Sequence, residues 1–240
     1  MKNTMNQFKN KRSVFFILTL FISLALSSCK KDGIESDGVP LIVPSDADGY
    51  LFASRATIQG ETDPSFIGSA AFSNTPGVTA NFVNVGTVKC NDATCNNISN
   101  VYSSYFANFT SGNLKWEISG GNGFGAFTKS GLTFPSIPVI TSGTNVTKSG
   151  FTVTNNAVTG ADKLLYTIGS TAIPSKLKLK WASSTSATSM TFSASDLSDF
   201  TVGESVGIIV NAYKVSSETL GGKNIYIRIW SQYLQEGTIH

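Results

Sequence analysis

Residues 205–215 read Ser205-Val206-Gly207-Ile208-Ile209-Val210-Asn211-Ala212-Tyr213-Lys214-Val215, and residues 224–233 read Asn224-Ile225-Tyr226-Ile227-Arg228-Ile229-Trp230-Ser231-Gln232-Tyr233. The second run alternates. Ile225, Ile227 and Ile229 fall on one face of an extended chain, and Tyr226, Arg228, Trp230 and Gln232 on the other. A period of two sustained over this length speaks for a strand and against an amphipathic helix. Between the runs stands Thr219-Leu220-Gly221-Gly222, which supplies the residues a tight hairpin turn demands. The C-terminal part of the chain therefore reads as a long β-hairpin.

Working back from that hairpin, the same period recurs as far as Tyr50, in segments rich in Val, Ile, Thr, Phe and Tyr punctuated by Gly, Asn, Ser and Pro. Strands are expected over 50–58, 66–73, 78–90, 100–110, 114–119, 151–155, 164–169, 176–181, 188–193, 205–215 and 223–234. The one helix-like stretch is Ser195 to Phe200, a single turn that Ser195 or Asp196 would cap. The expected fold class is all-β, a sandwich or barrel. Phe134-Pro135-Ser136-Ile137-Pro138 disfavours a central strand and marks a domain boundary. That gives two β-sandwich domains, 46–134 and 135–240, with one larger sandwich as the alternative. The second half resembles an immunoglobulin-like or fibronectin-like sandwich, although it lacks the cysteine pair of antibody domains. The resemblance implies an architecture and no activity.

At the N-terminus, Lys2, Lys9, Lys11 and Arg12 precede an apolar run from Ser13 to Leu26. As a helix this run spans about 21 Å, short of the ~30 Å hydrocarbon core, so an export signal is the better reading than a permanent membrane span. Leu26-Ser27-Ser28-Cys29 then resembles the lipobox of bacterial lipoproteins. The resemblance implies removal of residues 1–28 and lipidation of Cys29, which anchors the chain to a membrane; an ordinary secretory signal is the competing reading. Lys30 and Lys31 stand where the enterobacterial retention signal has an aspartate, so outer-membrane delivery is expected. The start Lys30-Lys31-Asp32 is similar to the export signals of surface lipoproteins in Bacteroidota. Residues 29–45, with Gly33, Gly38, Pro40 and Pro44, read as a tether.

The whole sequence carries a net charge of +3, but four of its 18 basic residues and none of its 15 acidic ones precede Cys29. The mature chain has fourteen basic against fifteen acidic residues, a net charge of −1. No electrostatic footprint for nucleic acid is left.

Besides Cys29 there are only Cys90 and Cys95, separated by Asn91-Asp92-Ala93-Thr94. A disulfide closing a four-residue loop is expected. Zinc would need four ligands, and the single histidine is His240, so no metal and no cofactor is expected. Gly203-Glu204-Ser205-Val206-Gly207 matches a nucleophile elbow, yet a β-type run follows it and only His240 is available as a base. Gly121-Asn122-Gly123-Phe124-Gly125-Ala126 matches a dinucleotide fingerprint, but no helix follows. Asp46-Ala47-Asp48-Gly49 resembles the start of a calcium loop without its later ligands; a turn explains it as well. Glu117, Asp162, Asp196, Asp199 and Glu204 are the acids a glycosidase would draw on, and sequence puts no two of them across a cleft. No catalytic residue is assigned.

The candidate ligand face is Tyr226, Arg228 and Trp230. If the isoleucines of that strand face the core, two aromatics and a guanidinium stand on the other side, as a platform for a sugar ring or a protein, or with Tyr226 and Trp230 packed under a loop or against the first domain. Two functions follow: a non-catalytic, lipid-anchored envelope module that binds a partner or has a structural role, and a glycan-binding lipoprotein of a polysaccharide-uptake system. An exposed aromatic row favours the glycan, while a buried row beside an open strand edge favours assembly or adhesion. Because Cys29 is the lone acceptor in the lipobox, Cys29→Ala should abolish incorporation of a clickable fatty acid and leave the precursor uncleaved. Undiminished label on the mutant would overturn the lipoprotein reading.

Overall fold

The computed structural model describes residues 43–77, 81–105, 113–170 and 176–240. The expected signal peptide, Cys29 and nearly all of the expected tether lie outside them. Ser45–His240 forms one compact unit, and it is all-β. Fifteen strands follow in order: β1 (Gly49–Ile58), β2 (Ser65–Phe72), β3 (Val88–Cys90), β4 (Ala93–Thr94), β5 (Asn96–Ile98), β6 (Val101–Tyr105), β7 (Leu114–Ile118), β8 (Phe127–Leu132), β9 (Asn145–Val146), β10 (Gly150–Thr154), β11 (Lys163–Ser170), β12 (Leu177–Trp181), β13 (Ser189–Ser193), β14 (Ser205–Leu220) and β15 (Lys223–Ile239). The segment 195–200 is a run of turns and not a helix. Leu197 N–H donates to Ser193 C=O and Phe200 N–H to Leu197 C=O, both at 3.2 Å, and the Asp196 carboxylate accepts the Ser193 N–H at 2.6 Å, so successive turns are closed without building a helix.

The expected hairpin is present and longer than its apolar pattern. Leu220 pairs with Lys223 across Gly221 and Gly222, whose φ angles of 60° and 80° are those of a primed two-residue turn. From that turn the ladder runs unbroken to the pair Ser205 and Thr238. The other side of β15 pairs in parallel with β1, Gly49 against Ile225 through Ile58 against Leu234. A nine-stranded mixed sheet results, in the order β12-β11-β14-β15-β1-β2-β6-β5, with β9 added to the far end of β15.

Two smaller sheets cover one face of this large one. The sheet β4-β3-β7-β8 closes a core of Leu51, Phe72, Trp116, Leu114, Ile225, Ile227 and Ile229 with their neighbours. The pair β10-β13 closes a second core of Leu164, Tyr166, Ile168, Phe192, Val206, Ile208, Val210 and Ile239. Each half is thus a sandwich, and β15 serves both. At Phe134–Pro138 the core changes while the sheet continues. There Ser231 Oγ donates to Pro135 C=O at 2.6 Å and Arg55 Nε donates to Ser231 Oγ at 3.2 Å, a polar clasp that holds the connection on the sheet between the two cores.

Cys90 and Cys95 are free thiols in the structure, not the expected disulfide. The cause is the turn. Asn91 and Asp92 have φ of 47° and 64°, so β3 reverses after two residues, and Cys90 pairs with Ala93. Cys95 N–H donates to Val88 C=O at 2.8 Å, which puts Cys95 opposite Val88 and diagonal to Cys90. Diagonal Cα atoms in a ladder stand about 7–8 Å apart, beyond the usual reach of a disulfide. Both thiols are buried, and burial pushes their pKa values up, that of Cys95 to about 11. Neither is a nucleophile near neutral pH. Gly68 is required beside them, since a Cβ there would meet Cys90 Sγ at 2.9 Å and the Trp116 ring at 3.0 Å.

Because β15 is built into both cores, the unit should unfold in one urea transition, coincident by tryptophan fluorescence and far-UV circular dichroism. Leu51→Ala in the first core and Ile208→Ala in the second should each lower its midpoint, at a cost of about 2–5 kcal/mol. Two separate transitions would show that the halves unfold independently.

Candidate functional site

The face of the large sheet turned away from the two cores carries the residues singled out in the sequence. Register decides its membership. Tyr50 lies beside Tyr226, Phe52 beside Arg228, and Tyr213 beside Trp230. The Arg228 guanidinium sits 4.0 Å from the centre of the Phe52 ring and 5.3 Å from that of Trp230. Tyr50 stacks on Phe52 at 4.2 Å, and Tyr213 lies 6.1 Å from Trp230 and 5.8 Å from Trp181. An aromatic band therefore crosses the sheet from β12 to β1, with one arginine at its centre. Cation–π contacts to desolvated rings are worth on the order of 2 kcal/mol, which offsets part of the cost of placing a guanidinium here.

This band is an interior feature. Tyr226 and Arg228 are each 3% exposed, Tyr50 4% and Tyr213 6%, and Trp230 is half-buried. Of the two arrangements open to this row, displayed or packed away, the structure has the packed one for Tyr226 and Arg228. The electrostatics agree: burial raises the phenol pKa values of Tyr50, Tyr226 and Tyr213, the last to about 12. Burial also lowers that of Arg228, against the opposing influence of those same three phenols. Tyr226, Arg228 and Trp230 were found from their alternation within one strand. Tyr50, Phe52, Tyr213 and Trp181 were missed as their companions, because they join only through pairing with strands far away in sequence.

The candidate acids are each engaged with partners of their own. Lys176, Lys178 and Lys180 point to the opposite face of β12 from Leu177, Leu179 and Trp181, and each meets its own carboxylate: Glu204 at 2.7 Å, Asp199 at 2.7 Å and Asp196 at 2.6 Å. Glu204 also accepts hydrogen bonds from Ser170 Oγ and, at 2.8 Å, from Thr201 N–H. This ion ladder fastens β12 to the segment that carries the buried Leu197 and Phe200. Asp162 accepts Val215 N–H at 2.8 Å, and Glu117 pairs with Lys115 at 3.3 Å. An open surface depression of about 600 Å³ on the four-stranded sheet is lined by Lys89, Glu117, Ser119 and Thr128. It brings no second carboxylate to Glu117.

The motif matches are structural. Ser205 opens β14, with no turn into a helix. His240 is not a loose tail: its N–H donates to Val146 C=O and its C=O accepts Lys148 N–H, both at 2.8 Å. Gly121 and Phe124 exchange two backbone hydrogen bonds around Asn122 and Gly123, making a tight turn into β8 where a dinucleotide fold needs a helix. Asp48 accepts Asn224 N–H at 2.8 Å, and Asp46 accepts Asn224 Nδ2–H at 3.2 Å, so these carboxylates clamp the start of β1 to β15. Among the described residues, no three His, Cys, Asp or Glu side chains gather as metal ligands.

No family model matches the chain, and no curated protein matches it. Among solved structures it is similar to the FN1-FN3 domains of chicken CNTN1, at 8% sequence identity and a TM-score of 0.26, over 79% of this chain and 68% of that one. The fold stated above rests on the sheets themselves.

The ladder makes an acid prediction. The Lys180 hydrogen bond holds the Asp196 carboxyl at about 2; burial raises Glu204, but Lys176, Ser170 and Thr201 outweigh it and bring it to about 2 as well. Carboxylates depressed in the folded state contribute stability that is complete above the ordinary range near pH 4 and lost as pH falls towards 2. The urea midpoint should therefore hold between pH 7 and 5 and drop below pH 4. In the double variant Asp196→Asn with Glu204→Gln the acid drop should be smaller. An unchanged acid drop would remove the ladder as its source.

Proposed function

We propose that this protein is a lipid-anchored, non-catalytic component of the bacterial cell envelope, held to the outer membrane through Cys29 and acting as a structural or protein-binding module at the cell surface. The lipobox resemblance supports the anchor, and the net charge of −1 after Cys29 gives no reason to expect a nucleic-acid partner. The single observation that carries the choice of role is the burial of the aromatic band. A platform for a sugar ring must offer its ring faces to solvent, whereas Tyr226 and Arg228 are 3% exposed and the rings contact one another. The polar side chains around the band's strands are also spent on the fold itself, in the β12 ladder and in the clasp at Pro135. Association through the margins of the sheet is then the reading that agrees best with the geometry.

Glycan binding at Trp230, in the service of polysaccharide uptake, is the second reading, favoured by the half-exposure of that one ring. A glycan array probed with the soluble Ser45–His240 unit separates the two. The expected result is no ligand on the array, together with a loss of about 3 kcal/mol or more of stability in Trp230→Ala. A glycan whose binding is lost in Trp230→Ala while the urea midpoint stays put would establish the second reading instead.

A further inference from the structure

We propose that two copies of this chain pair edge to edge through β12, joining their large sheets into one. The proposal deepens the reading of an assembling envelope module by naming a second copy as the partner. β12 ends the strand order of the nine-stranded sheet, and among the described residues no strand pairs with its outer side. The hydrogen-bond phase of that edge is fixed. Ala182 N–H donates to Leu164 C=O at 3.0 Å and Ser170 N–H donates to Lys176 C=O at 2.9 Å, so the even-numbered residues of the strand turn their backbone groups towards β11. By the alternation of an antiparallel ladder, Leu177, Leu179 and Trp181 direct their N–H and C=O groups outwards.

That edge is self-complementary. Leu177-Lys178-Leu179-Lys180-Trp181 has nearly the same character read in either direction. A two-fold axis at Leu179 sets Leu179 against its own copy and Leu177 against Trp181 of the other chain. The three outward residues then exchange about six backbone hydrogen bonds. Their side chains, on the face of the aromatic band, continue that band across the seam. The strand contains no proline, and all five of its residues are half-buried.

Charge decides whether such an edge is blunted. Bare lysines on an edge strand normally prevent pairing, and this register sets Lys178 opposite Lys180 of the other copy. Here both are neutralised on their own chain, by Asp199 at 2.7 Å and Asp196 at 2.6 Å. The register therefore brings together two ion pairs and not two bare cations. Confinement on a membrane raises the effective concentration of the copies and favours a pairing of modest intrinsic affinity.

The test is cross-linking by register. Facing residues of a hydrogen-bonded antiparallel pair stand about 5.5 Å apart between Cα atoms, within disulfide reach. Leu179→Cys should form a cross-linked dimer under mild oxidant, both in the membrane-anchored protein and in the soluble Ser45–His240 unit at high concentration. Leu177→Cys should cross-link efficiently only when mixed with Trp181→Cys. The double variant Asp196→Asn with Asp199→Asn, made in the Leu179→Cys background, should lose most of the dimer by unpairing the lysines, and adding Lys178→Thr with Lys180→Thr should restore it. Cross-linking of Leu179→Cys no better than that of Ile98→Cys, an exposed control on β5 at the opposite end of the sheet, in both settings would overturn the proposal. A dimer in the soluble unit with no lipid found on Cys29 would overturn the anchor and leave the seam standing.

Discussion

Everything in this unit depends on β15 being hydrogen-bonded along both of its sides. One side takes β14 through a two-glycine turn, a local contact that forms cheaply. The other side takes β1, whose Gly49 meets Ile225 after nearly the whole unit has intervened. Loop closure over that distance must be compensated by burial, and the compensation is visible in the isoleucines at 225, 227 and 229, all at or below 2% exposure. Remove the β1 pairing and β15 has an open edge from Ile225 to Leu234, with the outward backbone groups there unsatisfied and the first core open.

The length of β15 also explains why two cores coexist without two sheets. Its inward side chains change from isoleucine at 225–229, through Ser231, to Tyr233 and Ile239. Ser231 is the polar interruption, and it is satisfied by Pro135 and Arg55. The proline-rich connection that reads as a separation in the sequence is held at the place where the shared strand has no apolar side chain to bury.

On the opposite face the same strand gathers aromatic side chains around Arg228. A guanidinium buried to this degree is expensive unless its surroundings compensate, and the faces of Phe52 and Trp230 are part of that compensation. Residues that look like a recognition platform in one strand, Tyr226, Arg228 and Trp230, are thus also residues that tie three neighbouring strands together, β14, β15 and β1. The lysines and acids near β12 follow the same logic, since charges that could serve chemistry are paired one to one and spent on fastening an edge.

Period-two alternation, β-branched composition and turn residues were enough to establish the all-β class, the hairpin of β14 and β15, and most of the longer strands, because these follow from local sterics and local hydrogen bonding. The chemistry of the rejected motifs was equally legible: a serine entering a β run, and glycines with no helix after them. The short strands β4, β5 and β9 and the glycine-interrupted β8 were not visible, since two to six residues without clear alternation carry no periodic signal. Nor could sequence show that Asn91 and Asp92 both adopt positive φ, which moved Cys95 out of register with Cys90. Which side of β15 would meet β1, that one strand would serve two cores, and that Tyr50, Phe52 and Tyr213 would close around Arg228 were decided by the tertiary structure alone. Those contacts join residues far apart in the chain, and their energy exists only when the whole sheet is assembled.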